Sequence, residues 1–186
     1  MIAIRRARTG DAVGIGAVHV AAWRSAYPGI LPNDYLARLS VPRQAAYYDR
    51  AIRSRSGVFV AVASEIDVPA GERPRVVGFA TAGRARPADP VLADGEIETL
   101  YVLDDWRERG LGRRLIRAAG SYLAEAGCQS AYLWVLRDNP SRWFYARLGG
   151  RAVAEAEVRV GGRGVIQTAF VWDPIERLLT ESTSAA

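Results

Sequence analysis

The chain has 186 residues, a length that fits one domain with a sizeable buried core. Its single cysteine, Cys128, excludes an intramolecular disulfide and a multi-cysteine metal site, so we expect no bound metal. All 25 basic residues are arginine, which excludes a P-loop lysine, a Schiff-base lysine and a catalytic lysine.

The overall composition is that of a soluble globular protein, with 49% hydrophobic and 24% charged residues. No apolar run approaches the roughly 20 residues that span a bilayer, and the N-terminus lacks the apolar segment of a signal peptide. We therefore expect a cytoplasmic protein with no membrane partner. Arginine in place of lysine is typical of a GC-rich bacterial genome. The net charge of +5 arises from interspersed charges of both signs, which argues against nucleic-acid binding.

The first part of the chain predicts one strand followed by helices. Apolar residues recur at three- and four-residue spacing up to Ala26, which is typical of an amphipathic helix. In chain order we predict a strand over residues 2–5, a helix capped by Thr9 or Asp11, a short helix over 32–39 and a helix over 42–55.

The remainder of the chain predicts mainly strands. Residues 58–62 and 76–82 are rich in β-branched and apolar residues and are expected to pair as a hairpin. Residues 64–75 and 83–95 are expected to be loops. The other predicted elements are a strand over 96–102, a helix ending at Gly127, a strand over 130–136, a helix over 140–148, strands over 152–160 and 164–172, and a short helix after Pro174.

This order of elements predicts a mixed α/β fold around one sheet. No internal repeat or linker divides the chain, so we expect a single domain over residues 1–179. Residues 180–186 are small and polar, which predicts a flexible C-terminal tail.

An arginine- and glycine-rich segment follows the strand over 96–102 and opens the next helix. It contains Arg107, Arg109, Gly110, Gly112 and Arg113. Unpaired backbone N–H groups and the helix dipole make a helix N-terminus a site for anions, and pyrophosphate is a natural occupant. Glycine permits close approach of the backbone to phosphate, and arginine adds charge-assisted hydrogen bonds.

Two common phosphate-binding motifs do not fit this segment. The dinucleotide motif G-x-G-x-x-G would need glycine at position 115, where the chain has Leu115. The Walker motif needs lysine, which the chain lacks. The alternative to an anion site is a surface turn in which the glycines permit the backbone conformation and the arginines are solvated.

The spacing Arg107-x-x-Gly110-x-Gly112 resembles the R/Q-x-x-G-x-G/A motif of the GNAT superfamily of N-acetyltransferases. Downstream, Asn139 and the run Phe144–Gly149 resemble the second signature of that family, an asparagine followed by F-Y-x-x-L-G. The spacing from Asn139 to Tyr145 is one residue shorter than the commonest family form. Gly150 stands where the family often has phenylalanine. The order of elements also matches the family fold, a single mixed, mostly antiparallel sheet with helices on both faces.

The resemblance implies an acetyl-CoA-dependent N-acetyltransferase whose loop backbone binds the pyrophosphate of coenzyme A. It also implies that the preceding strand splays from its neighbour at a bulge, so that the pantetheine arm pairs with exposed backbone. A backbone N–H near Val102 would polarise the thioester carbonyl. The residues expected at the cofactor are Leu100, Tyr101, Val102, Arg107, Arg109, Gly110, Leu111, Gly112, Arg113, Asn139 and Tyr145.

Acetyl transfer to an amine needs a proton donor and a proton acceptor. Tyr145 is the expected general acid, because a neutral phenol can protonate the departing thiolate. Glu96 and Glu98 are the candidate bases, directly or through water. They are two residues apart on one strand and are expected to face the same side, with Leu100 continuing that face. Glu96 matches the base of the histone-acetylating branch of the family and is slightly preferred.

The acceptor is expected to be a primary amine of a small molecule or a peptide. By the resemblance, the N-terminal helices shape its pocket, and Trp23, Tyr27, Tyr35 and Glu98 are the residues expected to bind it. Direct attack in a ternary complex is the expected mechanism, and a homodimer is compatible with the family. The alternative function is a catalytically silent protein that binds coenzyme A as a sensor or structural ligand.

Overall fold

The computed structural model describes residues 2–64, 66–68, 70, 75–86 and 92–182. These residues form one sheet of seven strands: β1 (Ala3–Arg6), β2 (Gly57–Ala63), β3 (Arg75–Arg84), β4 (Gly95–Val102), β5 (Ala131–Leu136), β6 (Arg151–Val160) and β7 (Arg163–Trp172). They also form six α-helices: α1 (Ala12–Ala26), α2 (Asn33–Ala37), α3 (Val41–Arg53), α4 (Leu111–Glu125), α5 (Arg142–Arg147) and α6 (Glu176–Glu181). Within this described part of the chain, the helices are too short or too polar to cross a bilayer.

The strand order across the sheet is β1-β2-β3-β4-β5-β7-β6, and all neighbours are antiparallel except β4 and β5. This confirms the predicted fold class, and the predicted elements end within two residues of the observed ones. The division predicted at residue 180 falls inside α6, which continues to Glu181 and is followed by a buried Ser182. Residues 183–186 and parts of the two predicted loops lie outside the described residues.

Helices cover both faces of the sheet. Helices α1 and α3 pack on one side, here called the α1 face, and α4 packs on the other, the α4 face. Helix α4 places Leu111, Leu115, Ala119 and Leu123 at four-residue spacing, and all four side chains are buried in the core of the α4 face. Strand β2 serves both cores because its residues alternate between the two faces.

A β-bulge interrupts the pairing of β3 with β4. Thr81 lies opposite Thr99, and the hydroxyls of these two residues are 2.7 Å apart. The next residue, Ala82, lies opposite Ile97, which leaves Glu98 as the extra residue of β4. Such an insertion bends the strand and shifts the alternation of its side chains by one residue.

The bulge changes which residues of β4 share a face. Ile97, which lies between Glu96 and Glu98, packs in the core of the α4 face. Both glutamates point away from that core, on the same side as predicted. Leu100 packs instead against the core of the α4 face. The prediction that Leu100 continues the face of the two glutamates is therefore wrong, because the bulge lies between them.

Strands β4 and β5 diverge almost as soon as they pair. Only Gly95 and Glu96 of β4 have partners on β5, namely Ala131 and Tyr132. From Ile97 onward, the edge of β4 that points towards β5 has no described strand beside it. The sheet is therefore open at this position, and the opening connects its two faces.

The indole ring of Trp172 closes the core near the end of α5. It is fully buried, and its Nε1–H donates a hydrogen bond of 2.7 Å to the carbonyl of Leu148. A Cβ atom on Gly150 would lie 2.8 Å from this ring and 2.9 Å from the carbonyl oxygen of Tyr145. Trp172 thus leaves no room for a side chain at position 150.

We expect Gly150→Ala to lower the free energy of unfolding by about 1–3 kcal/mol, because the added methyl group overpacks a rigid contact. Urea unfolding of the variant and the parent measures this difference. Gly10→Ala is the matched control, since a Cβ there would meet nothing within 4 Å, and its unfolding free energy should be unchanged or slightly higher. Equal stabilities of the two variants would contradict the packing described for Trp172.

Candidate active site

A cleft of about 730 Å³ occupies the opening between β4 and β5. Its walls come from both faces of the sheet, including α1, the N-terminus of α4 and α5. The cleft brings together most of the residues predicted from the sequence: Trp23, Tyr27, Glu98, Leu100, Tyr101, Val102, Arg107, Gly110, Leu111, Gly112, Arg113, Asn139 and Tyr145. Three predicted residues, Glu96, Arg109 and Tyr35, are not among the residues that line it.

The arginine- and glycine-rich loop forms one end of the cleft and leads directly into α4. Glu108 and Gly110 both adopt left-handed backbone conformations, with φ of 59° and 71°. Gly110 is the N-cap residue, and no described side chain caps the helix. The N–H groups of the first turn are therefore available to a ligand, and the helix dipole adds partial positive charge. Arg107 and Arg113 line the same end.

Packing and backbone conformation do not explain the glycine at position 112. A Cβ atom at this position would lie 3.4 Å from the ring of Phe144, an ordinary van der Waals contact, and the residue does not have a positive φ. The fold alone therefore does not demand glycine at position 112. Close approach of a phosphate group to the backbone is a physical reason for its presence.

Arg109 has a structural contact instead of a place in the cleft. Its guanidinium lies 4.8 Å from the centroid of the Trp106 ring, an arrangement typical of a cation–π interaction. Arg107 makes an ion pair of 2.9 Å with Asp104 at the exposed end of the loop.

The free edge of β4 forms the middle of the cleft. Leu100, Tyr101 and Val102 line it, and no strand in the described ranges pairs with their backbone groups on the β5 side. An extended ligand can pair with such an edge as an added strand. The ring of Tyr101 points to the α1 face, where it lies 5.4 Å from His19 and 5.6 Å from Phe79.

Tyr145 and Asn139 line the cleft near α5. Tyr145 is 7% exposed and packs beside Phe170, at a centroid distance of 6.0 Å. Burial raises the pKa of Tyr145 above its ordinary value, so the phenol keeps its proton at neutral pH. The carbonyl oxygen of the Asn139 side chain accepts a hydrogen bond of 2.9 Å from the backbone of Ser141, and its amide donates to the Tyr27 hydroxyl at 3.4 Å.

Glu96 and Glu98 have different surroundings. The carboxylate of Glu96 is buried, and the guanidinium of Arg86 donates hydrogen bonds of 2.9 and 3.2 Å to its two oxygens. Glu98 makes no hydrogen bond within the part of the chain that the structure describes, and it is exposed to the cleft. The pKa of Glu98 is raised, mainly because the carboxylate is partly removed from water and secondarily because Glu96 is negatively charged. The positive charge of Arg86 opposes this shift.

Aromatic residues line the part of the cleft on the α1 face. Trp23 lies 5.0 Å from Tyr27 and 6.3 Å from Tyr35, measured between ring centroids. Tyr35 supports this group from outside the cleft and packs against the turn between β6 and β7. His19 is buried, with its Nδ1 2.8 Å from the Tyr48 hydroxyl. Burial lowers the pKa of His19 to about 4, so its ring is neutral at pH 7.

Several cleft residues were not anticipated from the sequence. Trp134 and Leu136 come from β5, Val158 and Val160 from β6, and Gln167 from β7. The alternation of each strand indicates which residues share a face, but not which strands are neighbours. Only the insertion of β7 between β5 and β6 brings these residues to the cleft.

The fold and the cleft agree with comparison to known proteins. The model of the Acetyltransferase (GNAT) family matches residues 20–150. This match covers more than half of the chain and includes β4, the loop before α4 and α5. The chain belongs to the Acetyltransferase (GNAT) family, as predicted from its two motifs.

One sequence relative supports this assignment, and two solved structures support the fold. The chain is 32% identical over 181 residues to the "Uncharacterized N-acetyltransferase YuaI" of Bacillus subtilis (strain 168), which covers 97% of this chain and 98% of the relative. The PaiA N-acetyltransferase of Thermoplasma acidophilum in complex with coenzyme A superposes with a TM-score of 0.65 at 18% identity, covering 90% and 98% of the two chains. The structure of YncA of Salmonella typhimurium with its cofactor acetyl-CoA superposes with a TM-score of 0.68 at 21% identity, covering 93% and 94% of the two chains.

We expect Glu98→Gln to stabilise the protein at pH 7 but not at low pH. The folded-state pKa of Glu98 lies above the unfolded value of about 4.3. Ionisation of Glu98 therefore lowers the free energy of unfolding at pH values above the pKa of the folded state. Below the pKa of the unfolded state the carboxyl is protonated in both states, and the effect is absent. The difference in Tm between the variant and the parent should be positive at pH 7 and should vanish at about pH 3.5.

Glu96→Gln is the matched comparison, because it removes a carboxylate that is hydrogen-bonded to Arg86. This variant should lower the free energy of unfolding at pH 7 by about 1–3 kcal/mol. A change of the same sign in both variants at pH 7 would contradict the different surroundings assigned to the two glutamates.

Proposed function

We propose that the protein transfers the acetyl group of acetyl-CoA to a primary amine by direct attack in a ternary complex. One observation carries this proposal: a single cleft passes through the sheet and joins the uncapped N-terminus of α4 to the aromatic residues on the α1 face. Glu98 and Tyr145 both line this cleft. A donor and an acceptor can therefore meet in it from opposite faces.

The donor end of the cleft fits coenzyme A. The first-turn N–H groups of α4, together with Arg107 and Arg113, would hold its pyrophosphate. The free edge of β4 at Leu100–Val102 would pair with the pantetheine arm, and a backbone N–H near Val102 would polarise the acetyl carbonyl. Bound acetyl-CoA supplies the acetyl group as an activated thioester. The solved relatives that contain coenzyme A and acetyl-CoA support this assignment.

Glu98 is the proposed general base. An alkylamine is mostly protonated at pH 7, so it must lose a proton before it can attack. The raised pKa of Glu98 makes this carboxylate a stronger base than an ordinary one, and it is exposed to the cleft. Glu96 matched the base of some family members in sequence, but its carboxylate is held by Arg86 outside the cleft. We therefore assign the proton acceptor to Glu98, directly or through water.

Tyr145 is the proposed general acid. As the amine nitrogen bonds to the acetyl carbon and the carbon–sulfur bond breaks, the sulfur leaves with an electron pair and needs a proton. The buried phenol remains protonated at neutral pH and can supply it. The nitrogen gives up its second proton as the amide forms, and this proton restores the Tyr145 phenol directly or through water. The carboxyl of Glu98 releases the first proton to solvent, so one ammonium and acetyl-CoA yield the amide, the free thiol and one proton.

We expect Gly112→Val to weaken acetyl-CoA binding at least tenfold. The added side chain would occupy the space beside the first-turn N–H groups of α4, whereas its Cβ makes only ordinary contact with Phe144. Thermal unfolding with increasing acetyl-CoA measures the effect, because a ligand that binds the folded state raises Tm. Gly10→Ala is the control and should retain the full shift. If Gly112→Val retained the full Tm shift, the proposal that this loop binds the pyrophosphate would be wrong.

We expect Tyr145→Phe to bind acetyl-CoA normally and to lower kcat by about 100-fold or more, the range for loss of a general acid. Thiol release from acetyl-CoA in the presence of an accepted amine measures kcat. Tyr47→Phe is the control, since Tyr47 is 49% exposed and does not line the cleft. An unchanged kcat would remove Tyr145 from the mechanism. Binding of acetyl-CoA without transfer to any amine would favour a silent coenzyme A-binding protein.

A further inference from the structure

The part of the cleft on the α1 face, here called the acceptor chamber, has walls that are almost entirely apolar. Trp23 of α1 and Tyr27, the residue that follows α1, form one wall. Trp134 and Leu136 of β5 form another, and Val158 and Val160 of β6 close the far side. The last four lie on one face because residues two apart on a strand point the same way. Their surface fits an aliphatic or aromatic group.

Glu98 is the one charged group among the described residues that line this chamber. The other charged residues that line the cleft are Arg107 and Glu108 of the loop before α4, Arg113 of α4 and Arg147 of α5. These elements carry the donor end of the cleft. The polar residue contributed by β7 is Gln167, which is neutral. The charge of Arg86 reaches Glu98, but its guanidinium is paired with Glu96 and does not line the cleft, and Arg107 is paired with Asp104. The described lining of the chamber therefore offers an acceptor one negative charge and no unpaired cation.

We propose that the acceptor is an amine with a single positive charge on an aliphatic or aromatic body. This inference rests on the proposed transfer to an amine and names its substrate class. One ammonium group can pair with Glu98, and the body can bury its apolar surface against Trp23 and Trp134.

The same chamber disfavours two common classes of amine. The carboxylate of a free amino acid would lose its water without gaining a cation, and it would approach Glu98 at the same time. A second ammonium, as in a polyamine, would be removed from water against apolar walls with no second carboxylate to pair with. The absence of an unpaired cation and of a second carboxylate thus disfavours both classes.

Two pairs of amines that differ in one charged group test this inference. 2-Phenylethylamine and phenylalanine differ by a carboxylate, and hexylamine and 1,6-diaminohexane differ by an ammonium. Calorimetric titration into the protein saturated with CoA gives the Kd of each amine without turnover. Thiol release with acetyl-CoA gives kcat/KM. We expect the first member of each pair to bind at least tenfold more tightly and to react with at least tenfold higher kcat/KM.

A charge introduced into the chamber provides a second test. Gln167→Arg would supply the missing cation, so the preference for 2-phenylethylamine over phenylalanine should fall at least tenfold. Gln167→Leu is the matched neutral control and should keep the parent preference. An unchanged preference in Gln167→Arg would contradict the proposed position of the acceptor.

The outcomes separate this inference from the proposed function. Equal kcat/KM values within either pair, or a preference for the doubly charged member, would overturn the substrate class and leave the transfer reaction standing. Selective binding of the singly charged amines without thiol release would support the chamber and overturn the transfer. Failure of all four amines both to bind and to react would also overturn the substrate class.

Discussion

The separation of β4 from β5 is the constraint on which the rest of the molecule depends. Two neighbouring parallel strands normally satisfy each other's backbone groups, but here only Gly95 and Glu96 of β4 do so. The remaining edge of β4 becomes a surface that a ligand can pair with. The same separation places the N-terminus of α4 and the aromatic residues of α1 at opposite ends of one cleft. Helix packing on both faces keeps the open sheet together.

The two carboxylates on β4, Glu96 and Glu98, lie close together but have different surroundings. Arg86 neutralises Glu96 and holds it in the core, whereas Glu98 projects from the bulge into the cleft. The charge of Glu96 still acts on Glu98 and helps to raise its pKa. Glu96 thus forms a structural ion pair and also contributes to the raised pKa of Glu98. The bulge makes this possible, because it displaces Glu98 from the regular ladder without moving it to the other face.

The sequence predicted the elements, the mixed sheet and the family, because amphipathic periodicity and the Arg107–Gly112 motif are local signals. It also predicted Tyr145 and Glu98 as residues of the site, and both line the cleft. The assignment of Leu100 failed because alternation assumes a strand without a bulge. Ion pairs such as Glu96–Arg86 and walls such as Trp134 and Gln167 depend on strand order and on contacts distant in sequence. Spacing along one chain carries no information about either.

The contact between Gly150 and Trp172 has a consequence for how this family can vary. A large side chain at one position excludes a large side chain at the other, because a Cβ on Gly150 would already meet the indole ring at 2.8 Å. Moving the bulky residue from one site to the other needs two substitutions. A larger residue at position 150 alone would overpack the core, and a smaller residue at position 172 alone would leave a cavity. The two positions should therefore covary among relatives, with a small residue at one accompanying an aromatic residue at the other.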